Sequence, residues 1–195
     1  ESGECDALLF FVSVPASAGI YALALPAALP IGGTPVRMQG IAKGSGMVAP
    51  DMATMLAYVA TDAKLPQNVL QSLLASGCAQ SFNSITVDSD TSTSDTLMLF
   101  ATGLADNPAV DDVNDPALAE FTLALTDLLL ELALLVVPRG EGATRQILVE
   151  VPRADSNLSA HRIPLSLANS PLVNTALAGA GATRVRVVIA VRRRG

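Results

Sequence analysis

Tryptophan is absent from this 195-residue chain, histidine occurs once and cysteine twice. The lone histidine, His161, stands beside Arg162 in a polar stretch and reads as a surface side chain, so a histidine-based catalytic triad has little to rest on. No Cys/His cluster has the spacing of metal ligands, and the expectation is that no metal is bound. Cys5 and Cys78 do not make a disulfide framework, which points to a reduced, cytoplasmic setting. Charge is scarce as well: 15% of the residues are Asp, Glu, Lys or Arg, against about 25% in an ordinary soluble domain. The 12 basic residues are outnumbered by 18 acidic ones, for a net charge of -6 and a pI near 4.6. Phosphate binding needs a clustered excess of Lys and Arg, so a nucleic-acid partner is excluded. The one basic cluster, Arg184, Arg186 and Arg192 to Arg194, reads as a solvated strand end.

What is abundant is apolar. Half of the residues are hydrophobic and the mean hydropathy is +0.45, more than a lone globule needs for its core. A large interface with a partner, or a membrane, would absorb the excess. Residues 7–36 carry no charge, yet Pro15, Pro26, Pro30 and Pro35 interrupt them, and the chain opens with Glu1, Glu4 and Asp6 rather than basic residues. Short buried strands fit this pattern better than a spanning helix or a signal peptide. No membrane partner is expected.

Residues 6–14, DALLFFVSV, have the length and composition of a core strand. The loosely alternating stretch 35–42 leads into KGSGM, a tight glycine loop, after which TMLAYVAT, residues 54–61, reads as a buried strand. Residues 65–79 place Val69, Leu70, Leu73 and Leu74 on one helical face, with Pro66 in the first turn. A second helix is announced by Asn114-Asp115-Pro116 and extends to about residue 137, with leucines on most of its circumference. RQILVEV, 145–151, and TRVRVVIAV, 183–191, alternate as strands, while DNPAVDDVND, 106–115, reads as an exposed connection. Strands and helices interleave without a strict βαβ rhythm, so the expected fold class is α/β, layered in the α+β manner, in one domain spanning 1–195.

Three separated segments carry chemistry: GIAKGSGMVAPDMATMLAYVATDA at 40–63, FNSITVDSDTSTSDT at 82–96, and GEGATR at 140–145. In this order they resemble the ornithine acetyltransferases, also called glutamate N-acetyltransferases. The resemblance implies a self-processing fold with an N-terminal nucleophile, in which a precursor cuts itself at the Ala-Thr bond of MATML. In this chain that bond is Ala53-Thr54, so 1–53 would be the tail of an α-chain-like part and 54–195 a β-chain-like part beginning at the nucleophile.

The implied activity is acetyl transfer from N-acetylornithine to glutamate in arginine biosynthesis, through an acetyl-Thr54 intermediate. A threonine hydroxyl needs a base, and the α-amine released by cleavage can be that base. The resemblance gives Lys43 and Glu141 to substrate binding beside Thr54, needs no cofactor, allows acetyl-CoA as a donor, and implies a hetero-oligomer of cleaved α and β chains acting on small molecules. The alternative is a catalytically incompetent fragment or divergent relative that needs a partner chain to complete its fold. Asp88, Asp90 and Asp95 lack the glycine and closing glutamate of a calcium loop, and are expected to bond nearby backbone. Arg139 stands where the family has an acidic residue, and Pro164 interrupts what the family makes a continuous helix.

Overall fold

The computed structural model describes residues 20–43, 55–86, 94–137, 148–149 and 157–178, and within these the side chains of 20–22, 24–29, 157–161 and 177–178 are left aside. Four strands, β1 (Ile20–Ile31), β2 (Thr34–Lys43), β3 (Leu56–Thr61) and β4 (Thr96–Ala101), form one sheet in the order β1-β2-β3-β4. The first three run antiparallel, and β4 joins β3 in parallel after the crossover helix α1 (Gln67–Gln80). Helix α2 (Ala119–Val136) comes next, then α3 (Asn157–Ala168) and α4 (Pro171–Ala178).

The β1–β2 hairpin turns at Gly32 and Gly33, whose φ values of 58° and 85° are those of a two-residue turn that favours glycine. A Cβ at Gly32 would also meet Pro108 Cγ at 2.8 Å. Among the described residues β1 has a strand neighbour on one side only, so Pro26 and Pro30 can sit within it where a missing N–H costs no ladder bond on the open side. The pairing register shifts between Leu25 and Leu29, around Pro26, as in a bulge.

One face of the sheet makes the core. Val36, Met38, Gly40 and Ala42 of β2 and Ala57, Val59 and Thr61 of β3 alternate inward. The stripe of Phe121, Leu125, Leu128, Leu129 and Leu132 on α2 packs into the same cluster, as do Val69 and Leu73 of α1. Gly40 is small enough for Leu128 and Leu132 to approach β2 closely. Each large side chain so buried contributes about 1.5–3 kcal/mol.

The other face is not covered among the described residues. Ile41 is 45% exposed, Met98 45% and Phe100 50%, and the Tyr58 ring stacks on that of Phe100 with centroids 6.5 Å apart. Residues 56–61 therefore form a strand buried on one side rather than both, and α2 buries one stripe while Leu123, Leu130 and Leu134 face outward. No helix of the described residues is long and apolar enough to cross a membrane.

Several local expectations change. The 106–115 connection is anchored rather than simply exposed: Asn107 is 3% exposed and Val110 is 2% exposed. Asn107 Oδ1 accepts the Lys64 N–H at 2.7 Å, and its Nδ2 donates to the carbonyls of Lys64 at 3.1 Å and Pro108 at 2.9 Å. Asp115 does act as a cap, its Oδ1 accepting from Ala117 N at 2.8 Å, but the first turn, Pro116–Leu118, is a 3-10 turn that hands over to α2. Helix α3 runs through Pro164, which removes one hydrogen bond from the ladder without ending it. Of the strand expected over 145–151 only Leu148 and Val149 are described, and they belong to no regular element. The strands expected over 6–14 and 183–191 and the KGSGM glycines lie outside the described residues.

Candidate active site

The sheet has two ends, and Lys43, the one described residue among those singled out by sequence for the site, stands at one of them. There β2 finishes at Lys43 while β3 and β4 begin at Leu56 and Thr96. Lys43 pairs with Leu56, and Leu56 pairs with Thr96, so these three residues form one row across the strands. Directly paired residues share a face, which puts Lys43 in the row that begins the outer face. Lys43 is thus the last residue of β2 and not part of the loop, as its place in KGSG suggested. It is half-buried.

Thr54, Ala53 and Glu141 lie outside the described residues. The residue after the threonine is described in detail. Met55 is 9% exposed, its N–H donates to Asp95 Oδ1 at 2.9 Å, and its carbonyl accepts from Thr96 N at 2.9 Å. Asp95 therefore bonds backbone as expected of that loop, but backbone 40 residues away rather than nearby. Sequence reasoning missed this role. The only available signal was that Asp95 stands immediately before the apolar run TLMLFA, the unrecognised strand β4.

Among the described residues, no three of His, Cys, Asp or Glu come together as a metal site. The backbone of His161 lies in α3, and among the described residues the displaced pKa is that of Cys78: burial pushes its thiol upward, partly opposed by a backbone hydrogen bond from Asn83.

The arrangement is that of a layered α/β protein with a lysine and a carboxylate-held backbone at one sheet end. The model of the ArgJ family matches residues 22–195, and the chain belongs to that family. It is 81% identical over 165 residues to the arginine biosynthesis bifunctional protein ArgJ of Gluconobacter oxydans, a match covering 85% of this chain and 39% of that protein. The namesake protein of Rhizobium meliloti is 58% identical over 168 residues, covering 85% of this chain and 41% of its own length. The chain thus spans about two fifths of the curated relatives it matches. The crystal structure of the arginine biosynthesis bifunctional protein ArgJ of Bacillus halodurans superposes with a TM-score of 0.62 at 38% identity, over 67% of this chain and 61% of the solved one. The fold is accordingly that of ArgJ.

Proposed function

We propose that this chain acts in arginine biosynthesis as an acyltransferase of the cytoplasm, cutting itself at Ala53-Thr54 and then moving acetyl from N-acetylornithine to glutamate. The observation that carries the reading is the entry of the MATML run into β3, in a member of the ArgJ family, at the sheet end that also holds Lys43. In the first reaction Thr54 Oγ1 attacks the Ala53 carbonyl carbon. The peptide C–N bond breaks as the ester forms, which frees the Thr54 amine, and water then opens the ester to release the Thr54 hydroxyl and an Ala53 carboxylate.

The new amine, with an ordinary pKa of about 8, takes the Oγ1 proton as that oxygen attacks the acetyl carbon of N-acetylornithine. The same proton passes to the departing ornithine nitrogen, leaving acetyl-Thr54. Glutamate's amine then attacks the ester and Oγ1 regains a proton. Lys43 suits a substrate carboxylate, and Glu141 a substrate ammonium. Acetyl-CoA would serve as a second donor through the same intermediate.

Intact mass measured over time tests the reading. The chain is expected to divide into two pieces at Ala53-Thr54 and Thr54→Ala to stay whole; a Thr54→Ala chain that still divides there sinks it.

A second reading is favoured by the uncovered sheet face. A chain spanning two fifths of its relatives, with Ile41, Met98 and Phe100 exposed, is one part of a hetero-oligomer of α and β pieces and is incompetent without the rest. Catalysis by the isolated chain would reject that reading.

A further inference from the structure

Met55 is gripped from one neighbour on both sides of its backbone. The Thr96 N–H donates to the Met55 carbonyl, as a parallel strand does at its start. The Met55 N–H has no such strand partner, because the pairing of β3 with β4 begins at Leu56 and Thr96. A side chain takes the place of the missing rung: Asp95 Oδ1 accepts that N–H at 2.9 Å. An ionised acceptor makes this a stronger and more directional bond than a neutral one.

The N–H of residue 55 does not stand alone. It shares one peptide plane with the carbonyl and the Cα of residue 54, since the amide C–N bond resists rotation by about 18–20 kcal/mol. Holding the Met55 N–H therefore constrains the peptide plane through which residue 54 joins the strand, and the Cα of a threonine bears the amine directly and the hydroxyl through Cβ. We propose that Asp95 is a positioning residue for the nucleophile, aligning Thr54 through the Met55 amide. The inference rests on the reading of Thr54 as the nucleophile. Asp95 touches no reacting atom and acts only through the backbone it holds. Small misplacement is costly in such chemistry: a shift of about 1 Å can lower a rate about 10²-fold.

The experiment uses the full 195-residue chain with Thr54 intact, and monitors division at Ala53-Thr54 by intact mass beside the thermal midpoint. Asp95→Ala removes the acceptor and is expected to slow division about tenfold or more. Asp95→Asn retains an acceptor oxygen and should divide within about threefold of the parent. Leu118→Ala, at a buried core residue that takes no part in the Asp95–Met55 bond, serves as a chain of lowered stability and should divide at nearly the parental rate while folded. Division of Asp95→Ala at the parental rate, or equal slowing by Leu118→Ala, overturns the positioning role. If the parent chain itself never divides, the Thr54 reading falls first and this inference with it; if the parent divides and Asp95→Ala does so equally fast, only the inference falls. An NMR measurement guards against a variant that does not fold. With 15N-methionine labelling, the Met55 amide resonance should move between the parent and folded Asp95→Ala as its acceptor is lost, and an unchanged Met55 resonance would equally overturn the proposal.

Discussion

Gly40 of β2 lies beneath Leu132 of α2: a Cβ added at Gly40 would stand 2.7 Å from Leu132 Cδ1 and 3.3 Å from Leu128 Cδ2. Gly40→Ala is therefore expected to overpack the layer between sheet and helix, destabilising the fold by about 1–3 kcal/mol in urea titration. Because the obstruction is a leucine methyl, Leu132→Val in the same chain should recover part of the loss. Strict additivity of the two substitutions would show that no such contact exists.

Asn107 is the peg of the 106–115 connection, and its amide satisfies three backbone groups around Lys64 and Pro108. Asn107→Ala leaves those part-buried groups without their partner, at a cost of about 1 kcal/mol or more. Hydrogen exchange at the Lys64 amide should accelerate in the variant. Unchanged exchange there would mean that Asn107 anchors nothing.

Cys78 gives a dependence on pH whose sign is set by its burial. Desolvation raises its pKa in the folded chain above the ordinary value of 9.0, while the unfolded chain keeps that ordinary value. Its stabilising contribution is thus complete below pH 9, and is lost as pH rises through the folded pKa, because the unfolded state sheds the proton first. Cys78→Ala should flatten the stability profile above about pH 9 relative to the parent. At about pH 8 the Cys78 thiol should alkylate several-fold more slowly than an unstructured cysteine, as peptide mapping can measure separately from Cys5.

The outer sheet face predicts the behaviour of the isolated chain in solution. Met98 and Phe100, with Tyr58 stacked alongside, should bind an apolar dye and promote association. Replacing both Met98 and Phe100 by lysine should reduce dye binding several-fold and shift size-exclusion elution toward monomer. Strong association that survives the double substitution would place the sticky surface elsewhere.

These elements were unequally legible in the sequence. The α1 and α2 periodicities, with Asp115 as a cap, were readable because they are local: one turn of helix contains its own signal. Strand β1 was obscured by Pro26 and Pro30, whose tolerance depends on its place at the sheet edge, a property of topology rather than of residues 20–31. TLMLFA of β4 was too short to distinguish from a buried turn or helix fragment without its neighbour β3. At the candidate site, Lys43 and Thr54 were singled out by resemblance alone, whereas Asp95 was not. Its partner is 40 positions away, and no spacing rule reaches that far.

That separation has a kinetic meaning. The contact between Asp95 and Met55 closes only after the intervening α1 crossover has folded back and β4 has found β3. Contacts of such long range are late and slow to form, since loop-closure entropy must first be overcome. The first described stretch beyond residue 54 therefore acquires its final geometry near the end of folding, so, under the proposed self-cleavage, a half-folded chain would present its Ala53-Thr54 bond without the alignment that the cut requires.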